Sequence, residues 1–120
     1  MVMVSNIPLH LACANGHIDA IELLLTHGAN IDAIDKNGWS PLHHAADNDH
    51  YDACKYLLNM KANVDICSDQ GGYAYDRTNT SISKLFIRCG FDLRDYVANC
   101  HDYSVMIDTL IDIVEDFAGS

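Results

Sequence analysis

Apolar residues recur along this chain at the three- and four-residue steps of helices, in short runs that stop and restart. Leu9, Ala12 and Cys13 define one short apolar face behind Pro8, a residue suited to a first helical turn, and Asn15-Gly16 closes it. His17 opens a second helix in which Ile18, Ile21, Leu24 and Leu25 share a face. Thr26-His27-Gly28 ends that helix, with Gly28 as the residue that takes the left-handed conformation at low cost. Asp35-Lys36-Asn37-Gly38 is then a turn, again with glycine where a positive φ is needed. The pattern predicts two short antiparallel helices followed by a projecting turn.

The same pattern returns 33 residues later. Over residues 8 to 32, thirteen positions are identical in the second copy: Pro8, Leu9, His10, Ala12, Asn15, His17, Asp19, Ala20, Leu24, Leu25, Ala29, Asn30 and Asp32. Self-similarity at such a period predicts a stacked array of helical units, an all-α repeat solenoid, in which each unit buries its apolar face against its neighbours. The sequence divides into a first repeat over 5–34, a second over 35–67, a shortened third over 68–95 and a terminal helix over 101–117. In the second repeat Asp49 and Lys61 stand where the first has Gly16 and Gly28. If both keep a left-handed backbone, a strain of about 1 kcal/mol each follows, making the middle of the array its softest joint.

In the third repeat Asp69-Gln70-Gly71 supplies the turn, and Tyr73-Ala74-Tyr75-Asp76 occupies the place of Ser40-Pro41-Leu42-His43. Gly28 to Lys61 is 33 residues but Lys61 to Gly90 is 29, so the first helix of this repeat is expected to be short. Ser81 is the expected N-cap of the second. Beyond Leu93, the residues Tyr103, Met106, Ile107, Leu110, Ile113, Val114 and Phe117 predict one apolar face of a new helix, capped by Asp102. Asp108, Asp112, Glu115 and Asp116 are expected on its other side. This helix is expected to cover the last repeat.

The units resemble the ankyrin repeat. The resemblance is carried by Asp35, Gly38, Pro41, Leu42, His43 and Ala45, and one repeat earlier by Pro8, Leu9, His10, Ala12, Gly16, His17, Leu23, Leu24, Leu25, Gly28 and Ala29. It implies a protein-binding scaffold whose turn fingers and inner helix faces form a concave groove. Carried to matching positions, the fingers contribute Ile34, Lys36, Asn37, Trp39, Cys67, Asp69, Gln70 and Gly72. The inner helices contribute Ala14, Asn15, Asp47 and Asn48. Of these, Asn15, Lys36, Asn37, Trp39, Asp47, Asn48, Asp69 and Gln70 are the expected partner-binding residues. Trp39 is the expected anchor, because semi-exposed tryptophan is enriched at binding hot spots. In family members a hydroxyl precedes the motif proline. Ser40 supplies it in the second repeat, but Ile7 stands there in the first.

Composition narrows the partner. The 120 residues carry a formal charge of -10, which disfavours nucleic acid and anionic membrane and favours a polar or basic protein segment. The sequence predicts no membrane span and no secretory signal, and an intracellular protein. Five cysteines, none in a CxxC pair, fit free thiols better than a disulfide framework. Of seven histidines, His10 and His43 belong to the repeat motif and His17 and His50 open second helices. His50 and Cys54 are four apart, but no second pair completes a zinc site or a catalytic constellation. No metal, no cofactor and no enzymatic chemistry is expected. A competing reading is structural: the apolar Met1 to Val4 segment and the outer face of Leu9 and Leu11 form an uncapped end that supports a homodimer through the first repeat, or continues a longer array. Control of a neighbouring domain in the same polypeptide is a third reading.

Overall fold

The computed structural model describes residues 7–89, 92–99 and 103–118. Met1 to Val4, Gly90, Phe91, Asp102 and the side chain of Phe117 lie outside the described residues. Helices α1 (Ile7–Ala14) and α2 (Ile18–Thr26) form the first hairpin, and α3 (Pro41–Asp47) and α4 (Tyr51–Asn59) the second. The third unit opens with a 3-10 turn, Ala74–Arg77, followed by α5 (Thr80–Arg88). Helices α6 (Leu93–Asn99) and α7 (Tyr103–Ala118) end the described chain. No strand longer than the single bridge between Cys67 and Tyr73 occurs among the described residues. The architecture is an all-helical repeat solenoid.

The periodic residues fill the core. Leu9, Cys13, Ile21, Leu42, Ala45, Ala46, Ala53, Cys54 and Leu57 are essentially inaccessible and form one continuous cluster with Ile82, Phe86 and Tyr96. Small residues on facing helices let α1 pack on α3 and α3 on the 3-10 turn. Helix α3 begins with a reciprocal cap: the Ser40 hydroxyl accepts from the His43 amide, while the Ser40 amide donates to His43 Nδ1 at 3.2 Å. The first helix starts one residue before Pro8, at Ile7. Leu9, expected on an open outer face, lies wholly inside the core, whereas Leu11 is exposed.

Asp49 and Lys61 do take positive φ, 58° and 68°, like Gly16 at 69°. The reason one unit needs glycine and the next does not lies in the neighbour. A Cβ on Gly16 would sit 2.6 Å from Nδ1 of His50, the residue that precedes α4. The corresponding residue before α5 is Asn79, whose shorter side chain leaves room for Asp49 and reaches its carboxylate at 3.4 Å. Gly16 with His50 and Asp49 with Asn79 are thus two solutions to the same contact.

Three expectations are corrected at the C-terminal end. The cap of α5 is Asn79, whose side chain accepts from the Ile82 amide at 2.9 Å, and not Ser81, because the helix begins two residues earlier. Helix α6 was not anticipated. It is only seven residues long, yet Tyr96 from it is fully buried, rings with Tyr75 at 6.2 Å and donates to Thr109 of α7 at 3.4 Å. Helix α7 does pack on α5, but rotated from the expected face. Thr109 is fully buried and Met106 packs on the core, and Asp112 and Asp116 turn toward Lys84 of α5 at 3.9 and 3.1 Å, with Arg88 also on Asp116. Tyr103, Ile107 and Val114 consequently point to solvent. The ion pairs and the hydroxyl of Thr109, which donates to the Val105 carbonyl of its own helix at 2.7 Å, lie on the side turned to the fold, and neither registers in an apolar count.

Candidate functional site

The second finger is built by one carboxylate. Asp35 Oδ1 accepts from the amides of Asn37 at 2.9 Å and Trp39 at 3.0 Å, and Gly38, at φ 78°, closes the turn onto the Asp35 carbonyl. Asp35 Oδ2 meets His44 Nε2 at 2.9 Å. Partial burial pushes the Asp35 carboxyl upward, but the Trp39 amide, His44 and the Asn37 amide together hold it below the usual carboxylate range. The finger is linked to the third one through the Asp69 amide, which donates to the Asn37 carbonyl at 3.0 Å.

This turn aims Trp39 along the inner face of α3. Its ring lies half-buried, 5.8 Å from His43 and 5.2 Å from His44, and His44 in turn packs edge-on against His10 at 5.3 Å. His43 is fixed in one tautomer. An amide donates to its Nδ1, so that nitrogen is unprotonated, and Nε2 carries the proton and donates to the Gly72 carbonyl at 3.0 Å. Burial lowers the His43 pKa below the usual 6.5, outweighing the bond to Gly72 that favours its charged form. His10 makes the matching bond to Ala33, at 2.7 Å, without a hydroxyl partner because Ile7 replaces the serine. These histidines brace the next finger, as their motif implies.

Trp39, His43 and Asp47 from the second repeat and Gln70, Tyr73 and Asp76 from the third line one groove of about 270 Å³. Asp47 is exposed at its mouth and Asp76 buried in its wall. Tyr73 stacks on Tyr75 at 5.2 Å, which in turn meets Phe86 at 6.1 Å, so the far wall rests on the core.

Of the eight residues expected at a binding surface, the groove gathers Trp39, Asp47 and Gln70. Lys36 and Asn37 line a separate hollow with Ile7, His10 and Ile34 on the other side of the finger. Asn15 and Asn48 are exposed at the ends of α1 and α3, each donating its side-chain amide back to its own helix, to Leu11 and His44 at 2.8 Å. Asp69 sits exposed between the fingers, against Gly38. Sequence reasoning missed Tyr73 and Asp76. The signal was the 33-residue register, which places Asp76 where His10 and His43 stand and Tyr73 where Ser40 stands.

The histidine and thiol considered for chemistry have other employment. His50 Nε2 donates to the Ala14 carbonyl at 2.9 Å, and burial pushes the Cys54 thiol up to about 12, as it does Cys13. A thiol so protonated is a poor nucleophile and a poor ligand. Among the described residues no three His, Cys, Asp or Glu side chains gather as metal ligands, and no helix is long and apolar enough to cross a membrane.

Comparison with known proteins gives the same repeat. The family described as "Ankyrin repeats (3 copies)" matches residues 4–68, more than half of the chain. The ankyrin repeat and KH domain-containing protein mask-1 of Caenorhabditis elegans is 64% identical over 33 residues, 28% of this chain and 1% of that protein. A similar protein of Caenorhabditis briggsae is 56% identical over 32 residues, again 1% of its length. The transcription regulator FGM4 of Gibberella zeae is 46% identical over 33 residues, 12% of its length. Each likeness spans about one repeat, so this chain corresponds to a small part of each relative. With the 33-residue period, the histidine braces and the paired helices in place, the chain belongs to the ankyrin-repeat family.

Proposed function

We propose that the groove between the second and third fingers binds a polar or basic segment of another protein, with Trp39 as its anchor. Ankyrin repeats generally mediate protein–protein interaction, and the observation that favours this particular surface is the pairing of a half-buried Trp39 with Asp47 and Asp76 in one groove. An arginine or lysine stem can lie on the Trp39 face, where cation–π attraction contributes about 0.5–2 kcal/mol, while its head meets Asp47. The net charge of -10 steers such a segment inward. Free thiols at Cys13 and Cys54 favour an intracellular setting. No catalytic, metal or cofactor role is part of this reading.

Trp39 is the single tryptophan, so its fluorescence reports the site directly. Random peptides enriched for lysine and arginine are selected on the wild-type chain, and binders, labelled so that fluorescence anisotropy reads every protein, are titrated against W39A and D47N. The expected result is a saturable change in Trp39 emission and a loss of at least tenfold in affinity in each variant. Selected peptides that bind both variants as tightly as wild type refute the groove.

A second reading has its own observation. Ile7, Leu11 and Ile34 are exposed large apolar residues at the first end of the array, which favours self-association there. Light scattering over a concentration series separates the two readings: a dimer that L11S returns to monomer supports it, and a monomer throughout removes it.

A further inference from the structure

Helix α7 has two faces with different work. One is spent on the fold: Thr109 and Met106 turn to the core, and Asp112 and Asp116 are held by Lys84 and Arg88 of α5. The other carries Tyr103, Ile107, Ile111 and Val114, which are 68%, 51%, 48% and 65% exposed. At 100° per residue these four fall within about 80° of the helix circumference and run about 16 Å along it. Isolated exposed apolar residues are ordinary, but four on one face of one helix are a contiguous stripe. Capping the array does not require it, since capping uses the opposite side.

The edge of the stripe is charged. Asp108 and Glu115 are both exposed, seven residues apart, and so lie at nearly the same angle, next to Ile111. The sequence of α7 has no lysine, arginine or histidine to offset them. We infer that this face of α7 docks an amphipathic helix of a partner protein, one that sets aliphatic side chains on Tyr103, Ile107, Ile111 and Val114 and lysine or arginine against Asp108 and Glu115. The spacing of the stripe matches helix-on-helix packing, in which ridges at three- and four-residue steps interlock. Charge selects the partner over a second copy of this chain: two copies each carry -10, and their α7 edges present only carboxylates to one another. The site is separate from the finger groove and stands or falls independently of it.

The probe is a synthetic amphipathic helix with leucine at its core positions and lysine along its flanks, labelled for fluorescence anisotropy. A matched peptide carries glutamate in place of lysine. The lysine peptide is expected to saturate the 120-residue chain, and the glutamate peptide to bind at least tenfold more weakly. I107Q/V114Q is expected to lose at least tenfold and D108N/E115Q several-fold. All substituted side chains are exposed, and thermal unfolding monitored by circular dichroism checks the fold. A measurement on the wild type needs no variant: amide hydrogen exchange with the lysine peptide bound is expected to slow within Tyr103–Val114. Protection in the fingers instead, binding unaffected by I107Q/V114Q, or no saturable binding overturns the inference. So does a wild-type dimer that I107Q/V114Q returns to monomer, which makes a second copy the occupant.

Discussion

Replacing Gly16 by alanine tests how adjacent units are fitted together. Two costs are expected. The backbone at φ 69° penalises any Cβ by about 1 kcal/mol. The new methyl also arrives 2.6 Å from His50 Nδ1, so the ring must move and its 2.9 Å bond to the Ala14 carbonyl is lost, a further 1–2 kcal/mol or so. G16A alone should therefore lose about 2–3 kcal/mol. The second cost depends on the histidine ring and the first does not. In an H50N background, which copies the Asp49 and Asn79 arrangement of the next joint, G16A should lose only the backbone share of about 1 kcal/mol. The double-mutant cycle should then show a coupling of about 1–2 kcal/mol, well above the roughly 0.5 kcal/mol scatter of independent sites. Urea unfolding followed by circular dichroism reads all four proteins, with an unchanged slope confirming that stability alone has moved. Costs that simply add would mean that the His50 ring does not decide the residue at position 16.

Other consequences are simpler to check. K61G should stabilise by about 1 kcal/mol, raising the melting temperature by about 4 °C, because exposed Lys61 holds φ 68° at a cost glycine avoids; no rise would show that the strain is absent. His43 has a folded pKa below 6.5, so its contribution is complete above pH 6.5 and is lost as pH falls through that value toward the folded one. The stability gap between wild type and H43Q should accordingly narrow from pH 7.5 to pH 5 in thermal melts, and a constant gap would contradict the lowered pKa of His43. Exposed Cys67 and Cys89 should react with a thiol reagent in the folded protein, and buried Cys13 and Cys54 only on unfolding, as peptide mapping by mass spectrometry would show.

The array was legible because its information is periodic. Every helix of the first two repeats follows from residues that recur at 33, and so do the positive φ at Asp49 and Lys61 and the brace made by His43. The C-terminal part was legible only in outline because its determinants are single events. Tyr96 anchors a helix too short to display a period, and the side of α7 turned to the fold meets Lys84 and Arg88, which lie more than twenty residues away in sequence. The groove shows the same division. Trp39 and Asp47 belong to a well-kept repeat, whereas Tyr73 and Asp76 sit in a degenerate motif, where their positions could be read but their purpose could not.

The histidines of the second repeat grip in opposite directions. His43 donates onward to the Gly72 carbonyl in the third unit, and His50 donates back to the Ala14 carbonyl in the first. Neither outer unit can swing open without drawing a proton donor out of the central one. Opening of a single unit therefore disturbs an interface rather than a hairpin, and the cooperative element of this array is larger than its repeat. The central unit, which carries both left-handed side-chain residues, is also the one clamped on both sides, so its local strain is stored behind two locks instead of being released by fraying.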